Sequence, residues 1–446
     1  MIRKLKNSYW LKSGSISLVT RTSMMFFNYL NFTLLARLLE KNEFGTWVIF
    51  LSIVKISESV RTAFVYNPLL RFLNSEDDVH HEKIRTASFK LNFIVSLGFC
   101  MLIALSVVMM HFFSSGGSVI SDMLLISTIA IVSFTFFSHF NFIQESRFRF
   151  VSTLISSLLQ NAVLSGYLLI YFYSSYEVSL ISATWIFTLG YVISSLCSVT
   201  FSGHKSFPKL RLEVKDWMKK LSAFGKYTFG TNLNSMLSKS SKEWFLSAMV
   251  GNVAVASFAP ALRVVNLFDV PLNALSSVYY PKVITAFEEK GRNAAREMYE
   301  KTTALVFIFM CPFVIATFLW ADDVIYLLVG PEFSDTAPLL KIIVLTALLA
   351  PFQRQFGITL NAVGKVRITF IFMLWNSIGT LILSVIAIAI WDLNGAAYSV
   401  LISSVISMIA AQIILNRELG INFFRIIASI YYESKKLLFS IIIKRG

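Results

Sequence analysis

The sequence predicts an all-α polytopic membrane protein with twelve transmembrane helices in two six-helix lobes around a central cavity. Three observations predict it. The chain has 446 residues, of which 56% are hydrophobic and only 15% charged, against about 25% charged in a typical soluble domain. Its mean hydropathy is +0.67. Apolar runs long enough to cross about 30 Å of hydrocarbon recur along its whole length, and basic residues fall in every second loop between them. A soluble enzyme, a disordered chain and a secreted disulfide scaffold cannot hide this much apolar surface behind so little charge.

The elements follow in order. A basic segment, 1–12, leads into an apolar run at 15–39. That run is too long for a signal-peptide core and lacks a small-residue cleavage site, so it reads as a retained first span. Five further spans are expected at 44–70, 88–113, 119–140, 150–174 and 178–202. The second half gives 221–250, 253–281, 301–320, 336–361, 368–391 and 394–416. Pro260, Pro271 and Pro281 in the eighth span each free a carbonyl four residues earlier and permit a kink.

The loops orient the spans. Even-numbered loops carry Arg71, Lys83 and Arg85, then Arg147 and Arg149, then a dense group from Lys205 to Lys220. Lys282, Lys290, Arg292 and Arg296 follow, and finally Lys365 and Arg367. Odd-numbered loops hold little basic charge apart from Lys41. The net charge of +15 is therefore read as positive-inside loops rather than a nucleic-acid surface, and both termini are expected in the cytoplasm. The expected organisation is an N-lobe at 1–206, a cytoplasmic elbow and C-lobe at 207–416, and an amphipathic tail at 417–446. In the tail, Asn422, Arg425, Ser429, Glu433, Lys436 and Ser440 form a narrow polar stripe, the pattern of a helix lying in the membrane interface. A thirteenth span is the alternative.

Charge inside the spans is the functional signal, because a Lys or Arg at the bilayer centre costs about 2.5–3.5 kcal/mol on insertion scales. The second span carries Lys55, Glu58 and Arg61, with Lys55 about 16 Å deep at about 1.5 Å per residue. The seventh carries Lys239, Lys242 and Glu243, the eighth Arg263, Asn266, Asp269 and Asn273, and the tenth Gln353, Arg354 and Gln355. Each charge could be structural, Lys55 pairing with Glu58 and Lys242 with Glu243. As a set, cations outnumber acids, and the excess calls for an anion or water. Arginine clamps phosphate oxygens in a bidentate way and lysine offers a point charge. Lys55, Arg61, Lys239, Lys242, Arg263 and Arg354 are therefore expected to bind an anionic substrate, with Glu58, Glu243 and Asp269 balancing charge or coupling to an ion.

Other chemistries are excluded or weak. No Gly-x-x-x-x-Gly-Lys-Ser/Thr loop occurs, so ATP-driven export is not expected, nor is a resident cofactor or metal. His80-His81-Glu82 lacks zinc spacing and reads as a solvated turn. His111 and His139 lie near span ends and read as interfacial side chains, with a titrating role as the alternative. Cys100, Cys197 and Cys311 read as small buried hydrophobes. The outer loops are too short to hold a polymerase or glycosyltransferase site.

A weak internal repeat relates the halves at an offset of 211 residues, which aligns Leu35-Ala36 with Leu246-Ser247 and places Glu58 on Asp269. It is a parallel repeat, which implies an axis along the membrane normal and a site between the halves. The segments Leu34-Leu35-Ala36-Arg37-Leu38-Leu39 with Glu43-Phe44-Gly45, Tyr227-Thr228-Phe229-Gly230-Thr231-Asn232 through Tyr280-Pro281-Lys282, and Gly330-Pro331-Glu332-Phe333 through Asn361-Ala362-Val363-Gly364-Lys365 occur in that order. Together they resemble the polysaccharide transporter family, typified by O-antigen repeat-unit flippases, of the multidrug/oligosaccharidyl-lipid/polysaccharide exporter superfamily. The resemblance implies a bacterial inner-membrane flippase. Its substrate would be an undecaprenyl-pyrophosphate-linked oligosaccharide, moved to the periplasmic leaflet by alternating access. H+ or Na+ would be the coupling ion, with membrane lipids and polysaccharide assembly proteins as partners. The alternatives are a cation-coupled multidrug extruder of the same fold and, on weaker grounds, a membrane polysaccharide polymerase.

Overall fold

The structure is a computed structural model that describes residues 2–76, 78–113, 118–147, 149–174, 176–202 and 207–443. Side chains are described within these ranges except at 2–15, 74–75, 78, 113, 227, 230–239, 277 and 436–443. Among the described residues the ordered elements are all helical. Among the described residues seven helical stretches, some running through a turn, are long and apolar enough to cross a membrane by length and composition, and each of the twelve expected spans falls on helix. The chain divides into two compact units, Met1–Met236 and Leu237–Gly446.

The first unit contains α1 (Ile2–Leu38), α2 (Lys41–Arg61), α3 (Asn67–Ser75), α4 (Asp78–Phe113), α5 (Val119–Ser146), α6 (Val151–Ser174) and α7 (Leu180–Thr200), with the start of α8 (Lys215–Met249). α5 packs between α4 and α7, and α6 between α7 and α1. One turn of π-helix, Thr62–Tyr66, separates α2 from α3. Its irregular backbone is stitched to α8, where Thr228 donates to the Ala63 carbonyl at 2.7 Å. The backbones can meet there because position 225 is glycine: a Cβ on Gly225 would lie 2.9 Å from the Phe64 Cα. α2 is not among the helices apolar enough to cross unaided, and the physical reason is its own Lys55, Glu58 and Arg61.

The basic segment after α7 packs on this first unit. Val214, Trp217 and Leu221 are buried with Leu69, Ile84, Ala87 and Ile143. The Lys209 amide donates to Thr86 Oγ1 at 3.1 Å, Lys90 Nζ donates to the Leu212 carbonyl at 3.1 Å, and Lys209 pairs with Glu82 at 2.6 Å. The elbow expected to open the second half thus forms part of the first unit's floor, because Trp217 finds its apolar partners there. Glu82, from the His80-His81-Glu82 run, has its place in that ion pair.

The second unit continues with α9 (Asn252–Asn266), α10 (Asp269–Leu319), α11 (Ala321–Val329), α12 (Thr336–Val344), α13 (Thr346–Ala362), α14 (Val366–Leu419) and α15 (Phe423–Ile443). Two of these are helix–turn–helix pairs. α10 reverses at Gly291 (φ 71°), so that Val283 and Ala295 pack in one cluster. α14 reverses at Trp391–Asp392, where Asp392 has φ 46°. The turn is tight enough that a Cβ on Gly395 would sit 1.9 Å from the Ala387 carbonyl oxygen, and Ser384 bonds Ser399 across the pair at 3.3 Å. α11 occupies the segment read from sequence as an outer loop. The break between α9 and α10 falls at Leu267–Phe268. Pro271 has no N–H for the Leu267 carbonyl, which instead accepts from the Val270 N–H at 3.2 Å. The kink expected of the eighth span is therefore Pro271's, and it leaves Asp269 at the first turn of α10.

α15 folds back on the unit. Ile421 and Ile426 are fully buried beside Tyr299, Phe352 and Phe356, and Glu433 pairs with Lys301 at 4.0 Å. Its other side exposes Phe424, Tyr431 and Tyr432, aromatic residues of the kind that sit at a membrane–water boundary.

Candidate functional site

In the first unit the embedded charges lie along one helix but meet different surroundings. Lys55 is exposed and Glu58 half-buried. Tyr191 on α7 donates its hydroxyl to Glu58 Oε1 at 2.5 Å. Arg61 is fully buried. Its Nη2 donates to Ser96 Oγ at 2.9 Å and to the Ile131 carbonyl at 2.6 Å, and its guanidinium lies 5.0 Å from the Phe134 ring centre. Ser96 in turn meets Thr135 at 2.6 Å, and Asn92 donates to Ser138 at 2.8 Å. A guanidinium stripped of water needs such acceptors and a nearby carboxylate to remain tolerable, and Glu58, one helical turn earlier, is that carboxylate. Arg61 offers no surface to a ligand in this conformation, so its positive charge acts through the local field.

In the second unit the structure brings Asp269 and Arg354 together from α10 and α13. Arg354 Nη2 lies 3.3 Å from Asp269 Oδ1, with the two side chains 38% and 43% exposed. They line a cavity of about 340 Å³ together with Leu272, Ala350, Gln353, Gly357, Ile358, Asn361 and Met373. Gln353 Nε2 donates to the Ser404 carbonyl at 2.8 Å. Asn361 Oδ1 is buried with no hydrogen-bond partner among the described residues. Pro351 and Tyr299, whose hydroxyl donates to the Phe352 carbonyl at 3.2 Å, fix the turn of α13 that carries Gln353 and Arg354.

Lys242, Glu243 and Arg263 are not among the residues lining this cavity. Lys242 is buried, 7% exposed, beside the half-buried Glu243. Arg263 is half-buried one turn before the α9–α10 break. The side chain of Lys239 lies outside the described residues. His139 is fully buried between the rings of Phe89 and Phe140, at 5.0 and 5.2 Å, which makes it an aromatic packing residue; His111 is exposed. The three cysteines are free and half-buried rather than enclosed. Tyr191 and Asn361 are the polar groups whose place in these clusters the spacing of charges did not reveal.

Residues 34–338 match the family model described as "Polysaccharide biosynthesis protein". The capsular polysaccharide biosynthesis protein CapF of Staphylococcus aureus is 24% identical over 166 residues, which are 37% of this chain and 42% of that protein's length. Among solved structures, an inward-facing multidrug resistance MATE family transporter of the MOP superfamily superposes with a TM-score of 0.72 at 15% identity, covering 91% of this chain and 95% of that one. The lipid II flippase MurJ in its inward closed conformation gives a TM-score of 0.72 at 14% identity, covering 98% and 93%. At such identity the likeness concerns the fold, which is that of the MOP-superfamily transporters and agrees with an all-α, multi-pass membrane protein. By the extent of the family match, the chain belongs to the polysaccharide biosynthesis protein family.

Proposed function

We propose that this protein is a flippase that carries an undecaprenyl-pyrophosphate-linked oligosaccharide, an O-antigen or similar repeat unit, from the cytoplasmic to the periplasmic leaflet of a bacterial inner membrane by alternating access, without a nucleotide. Both termini are cytoplasmic in this reading. The N-lobe and C-lobe are two halves of one transport cycle, and polysaccharide assembly proteins act upstream and downstream. The observation that carries it is the set of ionisable side chains inside the expected spans of each unit, Lys55, Glu58 and Arg61 in one and Asp269 and Arg354 in the other, within a chain of the polysaccharide biosynthesis family.

The physical problem is one of solvation. The polyprenyl tail can stay in lipid, but many hydroxyls and a polyanion lose water if they enter hydrocarbon. Lys55, Lys239, Lys242 and Arg263 supply positive charge for the pyrophosphate or an acidic sugar, and Arg61 adds to the field from behind. Arg354 meets the substrate beside Asp269. Glu58, Glu243 and Asp269 are the carboxylates able to exchange H+ or Na+ as the cycle turns. A cation-coupled drug extruder is the rival reading, and the acid that favours it is Glu58 under its tyrosine.

Leaflet-resolved transport decides between them. The purified full chain in vesicles should move a defined lipid-linked oligosaccharide, faster with an H+ or Na+ gradient than without. Gradient-driven efflux of lipophilic cations, with no movement of the lipid-linked sugar, would establish the rival.

A further inference from the structure

We infer that the cavity around Asp269 and Arg354 is a glycan subsite, built for the hydroxyls and ring face of a pyranose sugar and selective against phosphate. The identification of the sugar as the natural cargo rests on the flippase reading; the recognition chemistry rests on the cavity alone.

Three features of the cavity argue for a sugar. The first is its charge. Arg354 is matched one to one by Asp269 at 3.3 Å, so the site presents a donor fork and an acceptor pair of no net charge. A pyrophosphate drawn to Arg354 would meet the Asp269 carboxylate at once, and like charges placed side by side are strongly disfavoured. A hydroxyl can donate to one member of the pair and accept from the other. The second is the polar inventory. Gln353 has one amide hydrogen committed to Ser404 and keeps an acceptor oxygen. Asn361 also lines the cavity; its Oδ1 is enclosed in the wall, which leaves its NH2 group as the donor that a sugar oxygen can meet. The third is shape. The polar groups share the cavity with Leu272, Ile358 and Met373 and with Gly357, which has no side chain to fill it. An apolar wall beside a few convergent polar groups suits a ring with a C–H face and hydroxyl edges, and about 340 Å³ is the low end of the range for small-molecule sites, about 300–1,000 Å³.

Gly357 makes the test possible. A Cβ built there lies 3.7 Å from Thr369 Cγ2 and 3.9 Å from Met373 Cε, which is ordinary contact, so the backbone accepts a side chain at this position of the cavity lining, and the branch of Gly357→Leu is meant to reduce the space for a ligand. Saturation-transfer NMR on the full chain in lipid nanodiscs would use methyl glycosides of glucose, galactose and N-acetylglucosamine as probes, with inorganic pyrophosphate as competitor. At least one glycoside should bind, at least about tenfold more weakly in both Gly357→Leu and Asn361→Ala, and pyrophosphate should not displace it. Equal binding in wild type and both variants, no binding of any glycoside, or displacement by pyrophosphate would overturn the inference. If either variant fails to fold, the other and the pyrophosphate competition still decide. Glycoside binding with no leaflet transport of lipid-linked sugar would leave the subsite standing and remove the flippase reading; transport with no glycoside binding would do the reverse.

Discussion

The two units meet the same electrostatic problem in opposite ways. Glu58 and Asp269, which the 211-residue offset read from the sequence would align, each have an arginine nearby. In the first unit the arginine is sealed inside the helices, wholly buried and held by a serine and a backbone carbonyl. In the second the arginine comes from a different helix, the pair is 38% and 43% exposed, and it lines an open cavity. An enclosed charge network makes a lobe rigid, because removing any member strands the others without water. An exposed pair contributes little to stability and is available to a ligand. The enclosed arginine of the first unit is therefore bound into the packing, whereas the exposed pair of the second unit is accessible in its cavity.

Substitution at the two arginines is the sharpest way to break this contrast. Arg61→Ala should destabilise the protein by about 3–5 kcal/mol, by emptying a fully buried site and leaving Ser96, the Ile131 carbonyl and the half-buried Glu58 without their cation, and should show as a large fall in thermal unfolding temperature in detergent. Arg354→Ala should leave that temperature within the small range expected of exposed pairs, below about 1 kcal/mol, yet reduce transport of lipid-linked oligosaccharide at least about tenfold through loss of a charged donor. Equal effects on stability would erase the distinction between the units. Next in size is Tyr191→Phe, which removes a hydrogen bond to a carboxylate and should cost about 1.5–3 kcal/mol with the helical signal in circular dichroism unchanged. Thr228→Val leaves the Ala63 carbonyl of the π-turn without its side-chain donor, a loss of about 1 kcal/mol, readable by the same melt.

The smallest effect belongs to the outer surface of the second unit. The hydrogen bond from Lys341 Nζ, at 2.8 Å, holds the Asp322 carboxyl below its ordinary value of 3.8. A depressed acid stabilises above its unfolded value and loses that contribution as pH falls through the folded one. The pair should therefore be indifferent to pH between 7 and about 5, and Asp322→Asn should flatten only the acid limb, below about pH 4, of an unfolding-versus-pH curve.

What the sequence could show follows from which forces are local. Spans were legible because burial in lipid demands about twenty apolar residues in a row, and the kink at Leu267–Phe268 because proline's missing donor acts four residues away. The meeting of Asp269 with Arg354 depends on how α10 and α13 pack, 85 residues apart, and nothing in either segment encodes it. Lys55 and Arg61 look alike in sequence, six positions apart, yet one is exposed and the other enclosed, since rotation of α2 about its axis is set by its neighbours. Tyr191 was invisible among 16 tyrosines, most of them able to pass as membrane-interface residues. The reversals within α10 and α14 were expected as loops because a charge or glycine interrupts the apolar run; α11 was missed because nine residues, Ala321–Val329, are too few for a span and too apolar to mark a loop.

The placement of Trp217 has a bearing on how such proteins can be recombined. Its ring contacts Phe72 and His80, at 5.9 and 5.5 Å between centres, and the compact unit that holds it runs on to Met236, inside α8. A chimera joined to a relative just before residue 207 would put a foreign tryptophan and foreign basic residues against native helices. A crossover some thirty residues later would transplant each body together with its own underside, and sets of chimeras should divide into well and poorly expressed members along that line.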